Sequence, residues 1–549
     1  ARAVLPHFAL TPRNARAVAQ VCRRLDGMPL AIELAAARVR GLAVEQLAAR
    51  LDQRFHLLTG GSRTALARQQ TLRATVDWSY GLLDPAERQL FNRLSVFAGG
   101  FTLEGVESVC AGDGPAPEVL DVLLRLVDKS LVAMEEGEGG EIRYRLLETL
   151  RAYGQERIEA AGGTDALQAR HARYYLTLAE RAEREMRGPG MSQWLDRLDL
   201  EYANLTAALD WSLPATDPTG GLDPGDPAIG LRLAGALWLF WFLHGHRWVG
   251  LQWLERALAR AREATPARAM ALRGAGRLSN EVDDYGHALA FLEESLTIFR
   301  LVDEQADLAD ALCEAGGYAR GEQLGFDIGH RGDYERGSAL LAEGQALARA
   351  VGDPWRIMWS LLSDAGTFDV HRAEERARGR VAAEEVLRLA RTEGGHLEVA
   401  FAQRTLGCVA LAEGDYARAQ AAFSAALAAT RALGDRGGIA ADLKHLADTA
   451  RAVGDLDGAR AGYEESLALY RVLDFDREWQ AHVLCRLGEV ALEQGNLSRA
   501  RAHLGESLRT ARALAERGTR VAVLAARVES DFVPPGVSIF HSPELFNRE

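Results

Sequence analysis

Large apolar residues in the second half of the chain recur at a helical spacing, and the pattern repeats about every 40 residues. A glycine followed by Asp or Asn occurs at Gly414, Gly454 and Gly495. An alanine follows five residues after each glycine, a large apolar residue nine after it, and a leucine thirteen after it. Apolar residues at this spacing form one buried face of a helix, and glycine ends the helix before it because glycine tolerates a left-handed conformation. Each copy therefore predicts a helical hairpin.

Weaker copies extend the pattern towards the N-terminus. Two further turns in the same frame begin at Asp284 and Gly332, and more eroded copies bring the total to about seven hairpins between residues 231 and 515. A single hairpin cannot bury its own apolar face, so the hairpins are expected to stack into a superhelix. The glycine-rich segment Gly317–His330 lengthens one copy and predicts an inserted loop at the rim of the superhelix.

The N-terminal part of the chain predicts a different organisation. Residues 1–62 are helical and rich in alanine, and residues 63–162 combine helices with a strand pair around Gly137–Gly140. Helices followed by a β-hairpin predict a winged-helix-like domain. Residues 163–230 form a helical connector with a linker of Pro, Gly and Asp, and an irregular tail at 516–549 follows the repeats.

Composition excludes several classes of protein. Of the 549 residues 48% are hydrophobic, which excludes global disorder. No run approaches the ~18–20 apolar residues that a membrane helix needs, so we expect a cytoplasmic protein without a membrane partner. The net charge of −13 argues against a broadly basic surface for nucleic acid.

The predicted winged helix carries little positive charge. Its candidate recognition helix, Glu118–Lys129, has a net charge of −1, and the predicted wing adds four glutamates. Phosphate contacts need clustered basic side chains, so we expect no direct DNA contact and a role in packing between domains. Direct DNA binding by this domain remains the less favoured hypothesis.

Motifs of enzyme chemistry are missing from the sequence. It contains no GxxxxGK[ST], HExxH or GxSxG, and no Cys/His cluster at ligand spacing. The neighbouring His244 and His246 lie on different helix faces, and Cys313 and Cys485 occupy equivalent small-residue positions of two repeats. The sequence therefore predicts no catalytic residue, no metal site and no enzyme activity.

The repeat pattern resembles tetratricopeptide repeats in the longer form found in bacterial regulators. The matching residues are Leu406-Gly407 followed by Gly414-Asp415-Tyr416, with the alanine and leucine positions described above. The resemblance implies a mostly α fold that ends in a tetratricopeptide-type superhelix. Its concave groove would bind a protein or a small-molecule effector, and self-association is a further expectation.

The segment around Gly27-Met28-Pro29 resembles the GxP motif of the signal-transduction NTPases with numerous domains, whose nucleotide-binding core is of the NB-ARC type. The runs 71–80, 94–101 and 143–151 are typical of the bacterial branch, which includes maltose-activator-type, LuxR-family and antibiotic-regulator-type transcription factors. The resemblance implies that residues 1–62 are the lid of a nucleotide switch, with Gly27 and Pro29 beside the adenine. A plain helix boundary explains the same two residues.

Two departures from this family bear on the nucleotide. The phosphate-binding loop, magnesium aspartate and sensor arginine would precede residue 1, so we expect no cofactor in this chain alone and ATP or ADP in a longer parent. The family's Met-His-Asp motif corresponds to Leu146-Leu147-Glu148. Leu147 cannot donate the hydrogen bond of the histidine it replaces. Glu148 keeps a carboxylate for nucleotide binding, or places negative charge at a helix N-terminus.

These resemblances imply a regulator. We expect the sensor portion of a signal-transduction ATPase that acts in transcription, in which an occupant of the superhelix shifts the lid between ADP and ATP states. The alternative is a non-enzymatic tetratricopeptide scaffold that mediates protein–protein interaction.

Overall fold

The computed structural model describes residues 8–24, 32, 36, 39, 43–50, 72–111, 116–129, 131–137, 140–214, 225–281, 285–320, 322–323, 326–327, 333–366, 372–393, 395–473 and 477–515. The described chain is mostly α-helical, as predicted. Its internal contacts divide it into two compact units, Ala1–Thr177 with Leu200–Asp226, and Leu178–Asp199 with Pro227–Glu549.

The first unit contains a group of helices, a β-hairpin and a closing helix. Its early helices are α1 (Ala15–Arg24), α2 (Val44–Arg50), α3 (Leu72–Gly81), α4 (Pro85–Leu94), α5 (Leu103–Cys110) and α6 (Ala116–Asp128). The antiparallel strands β1 (Ala133–Glu136) and β2 (Ile142–Arg145) and the helix α7 (Glu148–Ala160) follow. Next in the chain are α8 (Thr164–Glu185), α9 (Met191–Leu200) and α10 (Tyr202–Ser212), of which the end of α8 and nearly all of α9 belong to the second unit. Helices α4 to α6 with the hairpin form the predicted winged helix.

Local sequence explains how the winged helix begins and closes. Asp84 accepts a hydrogen bond from the Glu87 backbone N–H at 2.8 Å, and Glu87 accepts one from the Asp84 N–H at 2.9 Å. This reciprocal cap starts α4, and Pro85 at the first position has no N–H to leave unsatisfied. At the other end, Phe101 and Tyr144 exchange two backbone hydrogen bonds of 2.8 Å. These bonds attach the segment before α5 to the wing.

Within the described part of the second unit, fourteen helices from Pro227 to Ala515 form seven consecutive hairpins. They are α11 (Pro227–Leu243) with α12 (Arg247–Arg260), α13 (Pro266–Glu281) with α14 (Tyr285–Val302), α15 (Gln305–Arg320) with α16 (Tyr334–Val351), α17 (Pro354–Ala365) with α18 (Ala373–Glu393), α19 (His396–Ala412) with α20 (Tyr416–Leu433), α21 (Arg436–Ala452) with α22 (Leu456–Leu473), and α23 (Arg477–Glu493) with α24 (Leu497–Ala515). A short pair, β3 (Glu322–Gln323) and β4 (Phe326–Asp327), lies between α15 and α16.

The predicted inserted loop begins later than its glycines suggest. Residues 317–320 are the last four of α15, so the expectation of a loop from Gly317 is wrong at its start. Ala319 and Arg320 are buried, and Arg320 forms an ion pair with Asp364 at 2.6 Å. The two partners are 44 residues apart in the sequence. Their contact favours a helix at a position where the local composition favours a turn.

The glycine-acid turns have the geometry that the repeat pattern predicts. Gly414, Gly454 and Gly495 have φ angles of 77°, 86° and 73°, a region that side chains with a Cβ rarely occupy. The following Asp415 caps the next helix by accepting a hydrogen bond from the Arg418 backbone N–H at 3.1 Å. The glycine therefore ends one helix and the acid starts the next, which explains why the two residues occur together.

Hairpins α19–α20 and α23–α24 each close on a glycine of the first helix. Phe423 of α20 is fully buried, as the apolar pattern predicts, and a Cβ on Gly407 of α19 would lie 2.5 Å from its ring. Gly488 of α23 stands in the same relation to Leu504 of α24, with 2.6 Å between the added Cβ and Leu504. Glycine at these positions allows the two helices to approach closely.

Among the described residues, four buried or partly buried ion pairs connect the first helices of neighbouring hairpins in the same chain direction. In each pair an arginine on one first helix meets an acidic side chain on the next first helix, 37 to 44 residues later. The pairs are Arg273–Asp310 at 2.8 Å, Arg320–Asp364 at 2.6 Å, Arg404–Asp442 at 2.7 Å, and Arg451–Glu489. Between α17 and α19 the rings of Trp359 and Phe401 meet edge to face at 6.1 Å.

Candidate ligand-binding cavity

The first helices of the seven described hairpins line an open cavity of about 180 Å³. Its wall takes at least one residue from each of these helices, together with Arg247 of α12 and Tyr470 of α22. One buried water needs only ~10–15 Å³ of such space, so the cavity has room for a small ligand or a short segment of a larger one.

Aromatic side chains form much of the wall. The described aromatic side chains that line it are Phe242, Tyr318, Trp359, Phe401, Tyr470 and Trp479. Stacking fixes several of these rings: Trp359 stacks on Trp355 with 5.6 Å between centroids, and Tyr470 stacks on Trp479 at 6.4 Å. The cavity therefore presents rigid apolar faces to an occupant.

Four basic side chains share this wall, and each lies over an aromatic ring. Arg247 and Arg277 lie 5.0 and 4.7 Å from the centre of the Phe242 ring. The guanidinium of Arg404 lies 5.2 Å from the Phe401 ring, and the Lys444 ammonium lies 5.8 Å from the Trp479 ring. The negative face of an aromatic ring attracts a cation, so these contacts hold the four basic groups in position.

Two of the basic groups are also held by carboxylates behind the wall. Arg404 pairs with Asp442 at 2.7 Å, and Asp442 accepts a further hydrogen bond of 3.0 Å from the Thr430 hydroxyl. Lys444 pairs with Asp448 at 3.1 Å. Although burial opposes it, the charges of Lys444 and Arg486 hold the pKa of Asp448 well below its usual range, so this carboxylate is ionised.

The two carboxyl groups that line the cavity have a different electrostatic character. Burial raises the pKa of Glu314, although the charges of Arg273 and Arg277 oppose the rise. Burial also raises the pKa of Asp435, which caps α21 through a hydrogen bond of 2.9 Å from the Gly438 N–H. Raised pKa values weaken the tendency of both groups to carry negative charge. In the described wall, four basic side chains therefore lie beside two carboxyl groups whose ionised form is disfavoured by burial.

The site residues predicted from the sequence lie elsewhere. Gly27 and Pro29 lie outside the described residues, so their place beside an adenine stays a prediction. Glu148 is the first residue of α7, and its two carboxylate oxygens accept hydrogen bonds of 2.8 and 2.9 Å from Arg151. This contact fits the alternative of a helix-terminal charge, and nucleotide binding by Glu148 also stays a prediction.

The basic groups of the candidate recognition helix are engaged inside the winged helix. Lys129 contacts both carboxylate oxygens of Glu87, at 2.6 and 2.5 Å, and Arg125 contacts one of them at 3.3 Å. Burial raises the pKa of Glu87, but the bond from Lys129 and the helix cap outweigh it and lower the pKa. The charges of these two side chains are therefore compensated within the domain, which disfavours their use for DNA phosphates.

Sequence patterns do not predict the cavity as a site. Arg247, Arg277 and Lys444 come from separate repeats, and a local pattern does not show which polar positions of a first helix face inwards. One signal was available, because Lys444 is one of only two lysines in the chain. Across the part of the chain described by the structure, no group of His, Cys, Asp and Glu side chains could hold a metal ion. None of the described helices is long and apolar enough to cross a membrane.

Two family models match parts of the chain. A winged helix-turn-helix domain matches residues 83–159, and a tetratricopeptide repeat matches residues 439–513. These matches agree with the wing formed by β1 and β2 and with the last hairpins of the second unit.

Curated relatives extend the comparison to most of the chain. A Mycobacterium tuberculosis protein that bears the name of an HTH-type transcriptional regulator is 39% identical over 364 residues, which cover 64% of this chain and 39% of that protein. The regulatory protein AfsR of Streptomyces coelicolor is 27% identical over 457 residues, which cover 81% of this chain and 37% of AfsR. The chain is similar to bacterial transcriptional regulators. It spans about two fifths of the length of these relatives.

The comparison with solved structures gives a distant similarity. The crystal structure of a signal-transduction ATPase with numerous domains and a tetratricopeptide repeat sensor, from Pyrococcus horikoshii, is 14% identical and has a TM-score of 0.37. The similarity covers 89% of this chain and 72% of the other.

Proposed function

We propose that this chain is the sensor portion of a cytoplasmic transcriptional regulator of the signal-transduction ATPase type, and that the cavity in its repeats binds the effector. The observation that carries the proposal is the cavity wall, which combines residues from all seven described hairpins. The names of the two curated relatives support a role in transcription. In this role residues 1–62 act as the lid of an ADP/ATP switch that lies partly outside the chain.

The composition of the wall suggests how an effector acts. Phe242 and Trp479 line the same cavity, although 237 residues separate them in the sequence (479 − 242 = 237). An occupant that contacts both ends of the array binds most tightly to one relative placement of the hairpins. Binding then shifts the population of superhelix arrangements towards that placement, and this shift is the signal that the lid receives.

The proposal can be tested in the organism by filling the cavity. Ala441 lines the wall on α21 and is only partly buried. The Ala441→Trp variant is introduced into the chromosomal gene, and transcript levels are measured. If the tryptophan blocks the effector, the transcripts that change should be those changed by deletion of the gene. If it mimics the bound effector, they should be those changed by permanent activation of the regulator. A matched control is Leu301→Trp, because Leu301 of α14 is 74% exposed and lies outside the cavity. Transcript levels that stay at the wild-type value in Ala441→Trp cells would contradict the proposal.

Two further measurements separate this proposal from its alternatives. The purified chain should release no phosphate from ATP, and turnover that Pro29→Ala abolishes would instead assign ATPase activity to it. The chain should also leave duplex DNA unshifted at low salt, because Arg125 and Lys129 are engaged with Glu87. A non-enzymatic scaffold shares both results but predicts unchanged transcripts in Ala441→Trp cells.

A further inference from the structure

Two guanidinium groups converge at one end of the cavity. Arg247 and Arg277 lie over the same Phe242 ring at 5.0 and 4.7 Å, although they belong to different hairpins. Both guanidinium groups line the cavity, so an anionic group of an occupant can approach them there and accept their hydrogen bonds. This geometry makes their end of the cavity the strongest candidate for the recognition of negative charge.

Local contacts fix the direction of both side chains. The Nε–H of Arg247 donates to the Phe242 carbonyl at 3.1 Å, and Arg277 Nη1 donates to the Tyr318 hydroxyl at 3.0 Å. Gly437 makes room for Arg247, because a Cβ at that position would lie 2.7 Å from its Nη2 atom. A guanidinium oriented in this way can bind one planar anion through two N–H groups.

The rest of the wall favours an apolar body on the ligand. Beyond Phe242, the rings of Tyr318, Trp359 and Phe401 line the cavity, and stacking holds Trp359 in place. We infer that the ligand of this cavity is a small molecule with an aromatic or apolar body and an anionic group, which Arg247 and Arg277 bind. The inference rests on the proposed effector site and assigns the ligand's chemistry.

A pair of fluorescent probes tests the charge preference directly. The probe 8-anilinonaphthalene-1-sulfonate has an anionic group, and N-phenyl-1-naphthylamine has the same rings without it. We expect the purified chain to bind the anionic probe at least about tenfold more tightly, because hydrogen bonds to a charged group are stronger than those to a neutral one. Fluorescence titration of each probe measures this ratio.

Substitutions locate the preference at the two arginines. Arg277→Gln and, independently, Arg247→Gln should weaken binding of the anionic probe about tenfold and change that of the neutral probe by less than about twofold. Arg300→Gln is the matched control, because Arg300 is 49% exposed and pairs with Glu343 outside the cavity. Thermal unfolding of each variant shows that it is folded, and if one arginine variant unfolds the other decides the test.

The outcomes distinguish the inference from the proposed function. Equal affinity for both probes, with both signals lost in Ala441→Trp, would keep the cavity as a binding site and overturn the anionic preference. Binding of both probes that is unaffected by Ala441→Trp would overturn the site itself. A preference for the anionic probe that Arg277→Gln and Arg247→Gln leave unchanged would also refute the assignment.

Discussion

Removing one member of the buried Arg404–Asp442 pair should destabilise the repeats strongly. The Arg404→Met variant keeps a long apolar side chain and removes the guanidinium. Asp442, which is fully buried, then keeps only the Thr430 hydroxyl as a described hydrogen-bond donor from a side chain. Although burial opposes it, Asp442 raises the pKa of Arg404, so the guanidinium is charged in the wild-type protein.

The distance in the structure sets the magnitude. For unit charges 2.7 Å apart, Coulomb's law with an effective dielectric constant of about 20 gives about 6 kcal/mol. The measured loss should be smaller, because a stranded carboxyl group takes up a proton. Breaking a buried pair costs about 3–5 kcal/mol, and this is the expected decrease in unfolding free energy. The double variant Arg404→Met/Asp442→Leu should recover to within about 1 kcal/mol of wild type, because it strands no charge.

Urea unfolding followed by circular dichroism measures the decrease for the whole chain. Hydrogen exchange of the amides of α19 and α21 measures it locally, because repeat arrays also open hairpin by hairpin. The control is Arg300→Met, which removes a half-exposed ion pair with Glu343 and should cost less than about 1 kcal/mol. A loss below 1 kcal/mol in Arg404→Met, or a double variant as unstable as the single one, would refute this account of the pair.

Three other perturbations test separate parts of the fold. Burial lowers the pKa of His171 from 6.5 to about 4, so the free energy of unfolding of the first unit should decrease by up to about 3 kcal/mol as pH falls through this range. Urea unfolding at several pH values should show a smaller decrease for the His171→Gln variant. The Glu87→Gln variant should lose about 1.5–3 kcal/mol of unfolding free energy at pH 7. At a pH low enough to protonate Glu87 in the wild type, thermal unfolding should show no difference between the two proteins. Gly407→Ala should destabilise by about 1–3 kcal/mol in urea because its Cβ would overlap the Phe423 ring; wild-type stability would contradict this.

Local patterns predict the hairpins well because their causes are local. Gly414 and Asp415 set the end of one helix and the start of the next within two residues, and the cap at Asp84 depends only on Glu87 three positions later. The sequence cannot predict in the same way that α15 extends to Arg320, because the ion-pair partner of Arg320, Asp364, belongs to another hairpin.

The cavity is hard to predict for a related reason. Arg404 and Arg418 are equally basic in the sequence, but Arg404 is 7% exposed and lines the cavity, whereas the side chain of Arg418 is 82% exposed. The difference follows from the stacking of the first helices, which brings distant repeats together. Predicting the site from one sequence therefore requires knowledge of how whole hairpins pack together, and the spacing of apolar residues within one hairpin is not enough.

The four ion pairs between first helices given above share a direction along the chain, because in each of them the arginine precedes its acid. Arg356 of α17 has the opposite direction, since it pairs with Asp307 of α15 at 2.9 Å. Helix α15 carries Asp310 for the hairpin before it and Arg320 for the hairpin after it, and α21 likewise carries Asp442 and Arg451. Duplication of such a hairpin within the gene would add one arginine and one acid together. For the pairs that have this direction, the array can therefore grow or shrink by whole hairpins during evolution while each arginine and each acid keeps a partner, which gives such genes a route to cavities of new length.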